Sequence, residues 1–503
     1  MEQFLGIDLG AGSLKASLVR RDGVCLATAG APVPTRQPFT GASEQDPETW
    51  WSALCSAVRE VLKTASSAPI EAIAVSAGAH SSVLSDGKGR VIRPAIMWND
   101  QRSRAEVERL RAEHGTRIGA LSANSVSPTW TLPHLAWLAA HEPQTLRDAR
   151  HLTPAKDWLR GRLTGDWVTE PVDATGLMLY APVEGRWSEE LAALAGISTT
   201  ILPPVVPSLS VVGHVTREAA LATGLSAGVP VVAGVSDTAA EGLGAGMMGS
   251  GVGVVKLATA ATLSCTATGP ELGRVLVSYP YLPEGSWFWI TGTNSCASAH
   301  AWLRRTFFSQ GGATPLDYSA MEDLAKDVPA GSEGLFFHPY LNGERSPYWD
   351  PDLRAGFTGL TFGHGPGHVT RAFYEGVAYS LADCLRQFTA AGVRLDRLRI
   401  TGGGARSPMW RQILADVLDA RIELPETADA SFGCALIAGL GIGAYTSVDA
   451  MGQAIRITAA HAPYPENVAL YREGLATYRN IQAALQPINH RISAQARQQA
   501  RQN

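Results

Sequence analysis

The chain opens with apolar residues broken at short, regular intervals. Phe4–Ile7 is an apolar run that ends at Asp8, followed by the turn-rich Gly10-Ala11-Gly12-Ser13. Leu14–Val19 then alternates, and Arg21-Asp22-Gly23 turns the chain into Val24–Thr28. Such runs between glycine-bearing turns predict three antiparallel strands at the start. Beyond them, Asp46-Pro47-Glu48 caps a helix that spaces Trp50, Trp51, Leu54, Val58 and Val61 along one face. Ile70–Ser76 reads as a buried strand leading into Gly78.

The pattern returns in the second half. Val229–Val235 predicts a buried strand, Ser236-Asp237-Thr238 the start of a helix, and the glycine-dense Gly242–Gly253 a crossing between domains. Val252–Leu257 and Thr262–Thr266 predict a new strand pair. Ile7–Ser13 can be laid on Val255–Ala261, each a strand, a turn and a strand at the head of a half-chain. The echo is too short to stand as a repeat, but it points to two similar α/β halves. Later, Val369–Phe388 has a long helical pattern, and Leu398–Thr401 is a strand. Gly402-Gly403-Gly404 turns from that strand into a helix around Trp410–Leu418.

Composition narrows the picture. At 503 residues the chain exceeds one ordinary core, so two domains of roughly 200–250 residues are expected. A hydrophobic share of 45% excludes disorder as the dominant state. The 51 glycines lack a Gly-X-Y period and point to turns where backbone closely approaches something. With 42 basic and 46 acidic side chains the net charge is −4, which favours neither nucleic acid nor a membrane surface as partner. The acid-free end from Ala483 to Asn503, with Arg491, Arg497 and Arg501, reads as a solvated helix or a frayed tail. Six cysteines without a C-x-x-C pair are expected as reduced, mostly buried thiols. No signal peptide and no bilayer-length apolar run are read, so a cytoplasmic protein is expected.

Several segments carry candidate chemistry. In Asp8-Leu9-Gly10-Ala11-Gly12-Ser13-Leu14-Lys15, glycines let amides converge on phosphate oxygens, and a carboxylate can hold Mg²⁺ directly or through water. The plainer alternative is a glycine-rich hairpin with Asp8 as turn former. Asp237 stands just past an apolar strand, where a carboxylate could take the proton of a hydroxyl attacking a phosphoryl group. Thr238-Ala239-Ala240-Glu241 equally fits a capping box, which leaves Asp237 to favour the helix N-terminus electrostatically. Three successive glycines in Thr401–Ser407 suit close approach to a flat ring or a phosphate. Trp98-Asn99-Asp100-Gln101-Arg102 suits hydroxyl recognition, or else starts a helix with Asn99 or Asp100 as N-cap. His80 is either a ligand or a satisfied core histidine. Neither Gly242-Leu243-Gly244 nor Gly249-Ser250-Gly251 meets the context of a dinucleotide fingerprint.

In this order the segments resemble the FGGY family of carbohydrate kinases. The resemblance runs from about Phe4 to Gly443. It rests on Gly6-Ile7-Asp8-Leu9-Gly10, Ser43-Glu44-Gln45-Asp46-Pro47, Arg93–Asp100, Lys156-Asp157 and Val231–Gly234 with Asp237. Pro339–Pro347 and Gly402–Ser407 with Trp410-Arg411-Gln412 complete it. It implies an α/β fold of two actin-like (ribonuclease H-like) domains around a central cleft. Residues 1–245 would form the sugar-binding side, 246–485 the nucleotide-binding side and 486–503 a polar basic tail. It also implies ATP with Mg²⁺ as phosphoryl donor and a ketopentose as acceptor. The alternatives are another sugar or polyol, or a homologue that binds without catalysis; a homodimer stays open.

Carried onto matching positions, the resemblance makes Asp237 the general base and sets Asp8 and Asp237 toward the metal. Gly10, Gly12, Ser13, Lys15 and Thr259 fall at the phosphates, and Gly403, Gly404 and Ser407 at the nucleotide. Ala79, His80, Asn99, Asp100 and Arg102 fall at the sugar. Some positions depart from the family pattern. Ala258-Thr259-Ala260 stands for Gly-Thr-Ser/Thr, Ala79 for Met, Thr238 for Asn and His134 for a common Lys.

Overall fold

The computed structural model describes residues 2–64, 68–272, 276–309 and 315–502. Two compact units are interleaved in sequence. Met1–Met248, Thr266–Trp289 and Thr427–Arg456 make the first, and Gly249–Cys265, Ile290–Glu426 and Ile457–Asn503 the second.

In the first unit the alternating start folds as the pattern predicts. Strand β1 spans Gln3–Leu9, β2 Ser13–Arg20 and β3 Cys25–Pro32, followed by helix α1 over Pro47–Thr64 and β4 over Ile70–Ala77. Helices α2 (Ala155–Thr164) and α3 (Pro171–Gly176) come next, then β5 (Val211–His214), β6 (Pro230–Val232) and helix α4 (Asp237–Ala245). The sheet has the order β5-β6-β4-β1-β2-β3. β1 pairs antiparallel with β2 and parallel with β4, and β4 pairs parallel with β6. The C-terminal ends of β1, β4 and β6 therefore come to one edge, where open α/β sheets place their ligands. The predicted strand at Val229–Val235 stops at Val232, because Gly234 turns the chain at φ +79°.

α1 covers the sheet with Trp50, Leu54, Val58 and Val61, each buried aliphatic chain contributing roughly 1.5–3 kcal/mol. Trp50 meets Trp158 of α2 edge-on, 6.1 Å between centroids, and both are fully buried. The helix Ala430–Gly441 crosses β1 so closely that a methyl group on Gly6 would stand 1.8 Å from the Ser431 carbonyl oxygen. Only glycine fits there.

The second unit repeats the sequence of pairings. β7 (Val252–Leu257) pairs antiparallel with β8 (Ala261–Ala267) and parallel with β9 (Arg397–Thr401). β9 pairs parallel with β10 (Arg421–Pro425), which pairs antiparallel with β11 (Ile457–His461). The series β8-β7-β9-β10-β11 thus matches β2-β1-β4-β6-β5 in direction at every step. The short echo between Ile7–Ser13 and Val255–Ala261 marks the first hairpin of each series.

Residues 486–502 continue the helix Pro465–Gln502. His490 Nε2 meets Asp350 at 2.6 Å and Arg497 pairs with Asp352; the Arg501 side chain lies outside the described residues. All six cysteines are free thiols, four of them buried. Among the described residues no helix is long and apolar enough to cross a membrane.

Candidate active site

The parallel pairing of β1 with β4 sets Asp8 opposite Ser76, whose hydroxyl donates to Asp8 Oδ1 at 2.7 Å. Burial raises the Asp8 pKa to about 7. The Asp237, Asp429 and Glu241 carboxylates add to that rise, and the Ser76 hydrogen bond opposes it. Asp237 is the first residue of α4, and its Oδ1 accepts from the Thr238 amide at 2.6 Å. The helix therefore starts ahead of the predicted capping box, with Ser236 as its N-cap residue. Thr238 Oγ1 reaches the same Asp237 oxygen at 3.2 Å.

Gly78, just past β4, faces this carboxylate. A methyl group there would lie 3.8 Å from Asp237 Oδ2 and 3.5 Å from Trp98 Cδ1. The Trp98 indole therefore flanks the same small space as Asp237, although the sequence directs attention to its polar neighbours.

His80 is held on every side. Its backbone is left-handed at φ +72°, a conformation uncommon for a residue with a side chain. Its ring stacks on Trp130 at 4.0 Å, and its carbonyl accepts from Thr131 Oγ1 at 2.7 Å. Nδ1 lies 3.1 Å from the Thr129 carbonyl oxygen and Nε2 2.5 Å from the Tyr279 hydroxyl. A carbonyl only accepts, so Nδ1 carries the proton and Nε2 accepts from Tyr279. Burial drives the His80 pKa down to about 3, with His134 adding to the fall, so the ring is neutral. Both ring nitrogens are thus committed, and Tyr279 is the polar group beside them. Ala79 packs on Gly176 of α3, where a methyl group would stand 3.6 Å from the Ala79 Cβ.

Asp100 and Arg102 are engaged with each other. Asp100 is fully buried; Oδ2 accepts from the Ser43 amide at 2.6 Å and from Arg102 Nη2 at 2.9 Å. Arg102 also reaches Glu44 at 2.8 Å and lies over the Trp137 ring at 4.9 Å. The pair clamps the Ser43-Glu44 segment. The helix that follows runs over Arg104–Ser122 from Ser103, so neither Asn99 nor Asp100 is its N-cap. Asn99 alone of the three is exposed.

At the first turn, the Gly10 amide donates to the Ser13 carbonyl at 3.0 Å, and Gly12 and Ser13 are exposed. Lys15 pairs with Asp429 at 2.6 Å, from 414 positions away, and each side chain is about two-fifths exposed.

In the second unit, the turn Ala258-Thr259-Ala260 is closed by the Ala258 amide on the Ala260 carbonyl at 3.1 Å. The Thr259 carbonyl accepts from the Cys296 and Ser298 amides and from Ser298 Oγ at 2.7 Å. Thr259 itself is exposed. Gly402, at φ +86°, runs against Leu257, where a methyl group would meet the Leu257 carbonyl oxygen at 2.4 Å. The triple glycine and the Thr259 turn are thereby brought side by side. Gly403 has open space around it. Ser407 caps the helix Pro408–Leu418, its Oγ accepting from the Trp410 amide at 2.9 Å.

Two units with one strand pattern, each carrying a hairpin turn beside its central strand, define the actin-like (ribonuclease H-like) class of two-domain α/β proteins. Residues 3–244 match the FGGY family of carbohydrate kinases, N-terminal domain, and residues 265–442 match its C-terminal domain. The chain belongs to this family and is an ATP-dependent sugar kinase. The xylulose kinase of Bacillus subtilis (strain 168) is 31% identical over 496 residues, covering 97% of this chain and 98% of that one. The gluconokinase of the same strain is 29% identical over 497 residues, covering 96% of each. Among solved structures, the xylulose kinase from Rhodospirillum rubrum superposes with a TM-score of 0.91 at 29% identity, over 97% of this chain and 100% of that one.

Proposed function

We propose that the chain transfers the γ-phosphoryl group of ATP to the terminal hydroxyl of D-xylulose, giving D-xylulose 5-phosphate. Asp237 takes the hydroxyl proton as the alcohol oxygen attacks phosphorus and ADP leaves. The Gly10–Ser13 turn, the Thr259 turn and the Gly403-Gly404 segment are the groups assigned to the nucleotide. Tyr279, His80 and Trp98 border the acceptor.

Mg²⁺ fits the carboxylates of the first unit. Burial first, and then the Asp237, Asp429 and Glu241 carboxylates, raise the Asp8 pKa to about 7, and a cation would offset the carboxylate part of that rise. Among the described residues no group of three or more His, Cys, Asp or Glu side chains is placed to hold a metal ion. Asp8 and Asp237 would hold it, and when bound it supplies charge neutralisation at the phosphates.

One observation favours a neutral ketose over a sugar acid: the acceptor surroundings are acidic. Asp237, Asp429 and Glu241 all add to the rise of the Asp8 pKa, and Asp237 and Asp173 both act on Tyr279. His80 is neutral, and Lys15, Lys156 and Arg102 are held in ion pairs. A gluconate carboxylate would meet repulsion there. ADP release with D-xylulose, D-ribulose, D-gluconate and polyols tests this. D-Xylulose should give the highest kcat/KM, and a higher value for gluconate would overturn the reading.

A further inference from the structure

Lys156 is an internal cation with no exposed side-chain surface. Its ammonium donates to the Ala233 carbonyl at 2.9 Å and to Asp157 Oδ1 at 2.8 Å. It lies 3.3 Å from Asp173 Oδ2 and 3.7 Å from Glu170 Oε1. Arg160 approaches the same Asp157 oxygen at 3.4 Å, and Thr169 Oγ1 donates to the other at 2.6 Å. Glu170 accepts from the Val172 and Asp173 amides and from Ser208. Burying so many ions is a poor way to stabilise a fold compared with apolar packing. What the cluster does gain is a fixed junction.

The ammonium joins two segments that each lead to the site. Ala233 is followed by Gly234, where a methyl group would strike the Val75 carbonyl oxygen at 2.5 Å, and the chain then reaches Asp237 at the start of α4. Asp173 lies on α3, three residues before Gly176, where a methyl group would stand 3.5 Å from His80 Cδ2. One group thus ties the stretch behind the proposed base to the helix behind the acceptor segment.

We propose that Lys156 is a positioning residue, whose ammonium sets the spacing between Asp237 and the Ala79-His80 segment and so aligns the acceptor hydroxyl with its base. The proposal rests on Asp237 acting as that base. Burial works against the Lys156 charge, but Asp157, Asp173 and Glu170 outweigh it and raise its pKa. Burial also lifts Asp173 well above the usual carboxylate range, against the pull of Lys156. Asparagine matches aspartate in size, so Asp173→Asn can loosen this contact with little change in packing.

Two variants test this. Asp173→Asn keeps the side chain's size but weakens the hold on Lys156, and the double variant Lys156→Met with Asp157→Asn removes one charge of each sign. For each, melting temperature, kcat, both KM values and the ratio of ADP released to sugar phosphorylated are measured. We expect Asp173→Asn to melt like the wild type with kcat reduced about tenfold and KM for ATP unchanged. Its ADP-to-product ratio should rise above one, because a misaligned hydroxyl lets water compete; a role in stability alone would leave that ratio untouched. The double variant should show the same ratio change. Wild-type kcat and ratio in Asp173→Asn would overturn the proposal whether or not the double variant folds. Asp237→Asn separates the underlying reading: wild-type turnover in that variant removes the base assignment itself.

Discussion

The Tyr279 hydroxyl donates to His80 Nε2 across 2.5 Å, because the Thr129 carbonyl holds the imidazole proton on Nδ1. The phenol oxygen is left with its lone pairs for a further partner, and burial keeps the phenol protonated. A sugar hydroxyl donating to that oxygen would be read by Tyr279 and oriented through His80.

Tyr279→Phe removes that acceptor while preserving the ring stack with Phe288, 5.1 Å between centroids. A hydrogen bond of about 1–1.5 kcal/mol corresponds to roughly a tenfold rise in acceptor KM. Steady-state kinetics at saturating ATP should show that rise with kcat within about threefold. An unchanged KM for the sugar would place the acceptor elsewhere.

Gly78→Ala probes the space between Trp98 and Asp237. Its new methyl group would sit at 3.5 and 3.8 Å from them, ordinary contact distances, so the fold should survive with its melting temperature little changed. In the proposed reaction the acceptor hydroxyl would need the same space, and a displacement of about 1 Å can reduce turnover about a hundredfold. A variant that melts normally and phosphorylates D-xylulose at the wild-type rate would show that the hydroxyl does not pass Gly78.

What the sequence disclosed here was local. The β1–β2 hairpin, the strand before Asp237 and the triple glycine each have period, turn chemistry and spacing within a dozen residues, and each is found where expected. Tyr279 has no such signal. It sits in a short strand, Val277–Pro280, and meets His80 from 199 positions away. Likewise the polar run Asn99–Arg102 looks like open hydroxyl chemistry, yet Asp100 and Arg102 satisfy each other inside the unit. A sequence shows which groups are polar; only packing shows which are already satisfied. The helix Ala430–Gly441 makes the same point, since its place on β1 depends on a glycine at position 6.

Asp8 gives stability a defined pH dependence. Its folded pKa of about 7 stands above the ordinary carboxylate value of 3.8, so the folded chain binds more protons between those values. The resulting penalty is absent below about pH 4, grows as pH rises and is complete above about pH 7. Asp8→Asn removes it. The variant should therefore melt above the wild type by several degrees at pH 8, since the penalty amounts to several kcal/mol and each moves the midpoint of a domain larger than about 250 residues by roughly 1–2 °C. The difference should shrink at pH 5. Adding Mg²⁺ at pH 8 should raise the wild-type midpoint and leave Asp8→Asn in place. A pH-independent difference would mean that Asp8 is not the carboxylate whose pKa the fold raises.

Besides its own Ala258–Ala260 closure, the Thr259 turn is anchored through the Thr259 carbonyl. That oxygen accepts from two backbone amides and from Ser298 Oγ, the last at 2.7 Å, while the turn itself carries alanine at 258 and 260. With neither a glycine nor a second hydroxyl in the turn, the phosphate contact proposed for it would depend on Thr259 and on the rigidity Ser298 supplies. Ser298→Ala should leave the amide anchors intact and cost about 1 kcal/mol of that rigidity. The expected result is a rise of about fivefold in KM for ATP, with KM for the sugar unchanged. Restoring a hydroxyl with Ala260→Ser should act in the opposite direction. If Ser298→Ala moved the sugar KM and spared that of ATP, the turn would belong to the acceptor and its assignment to the phosphates would fall.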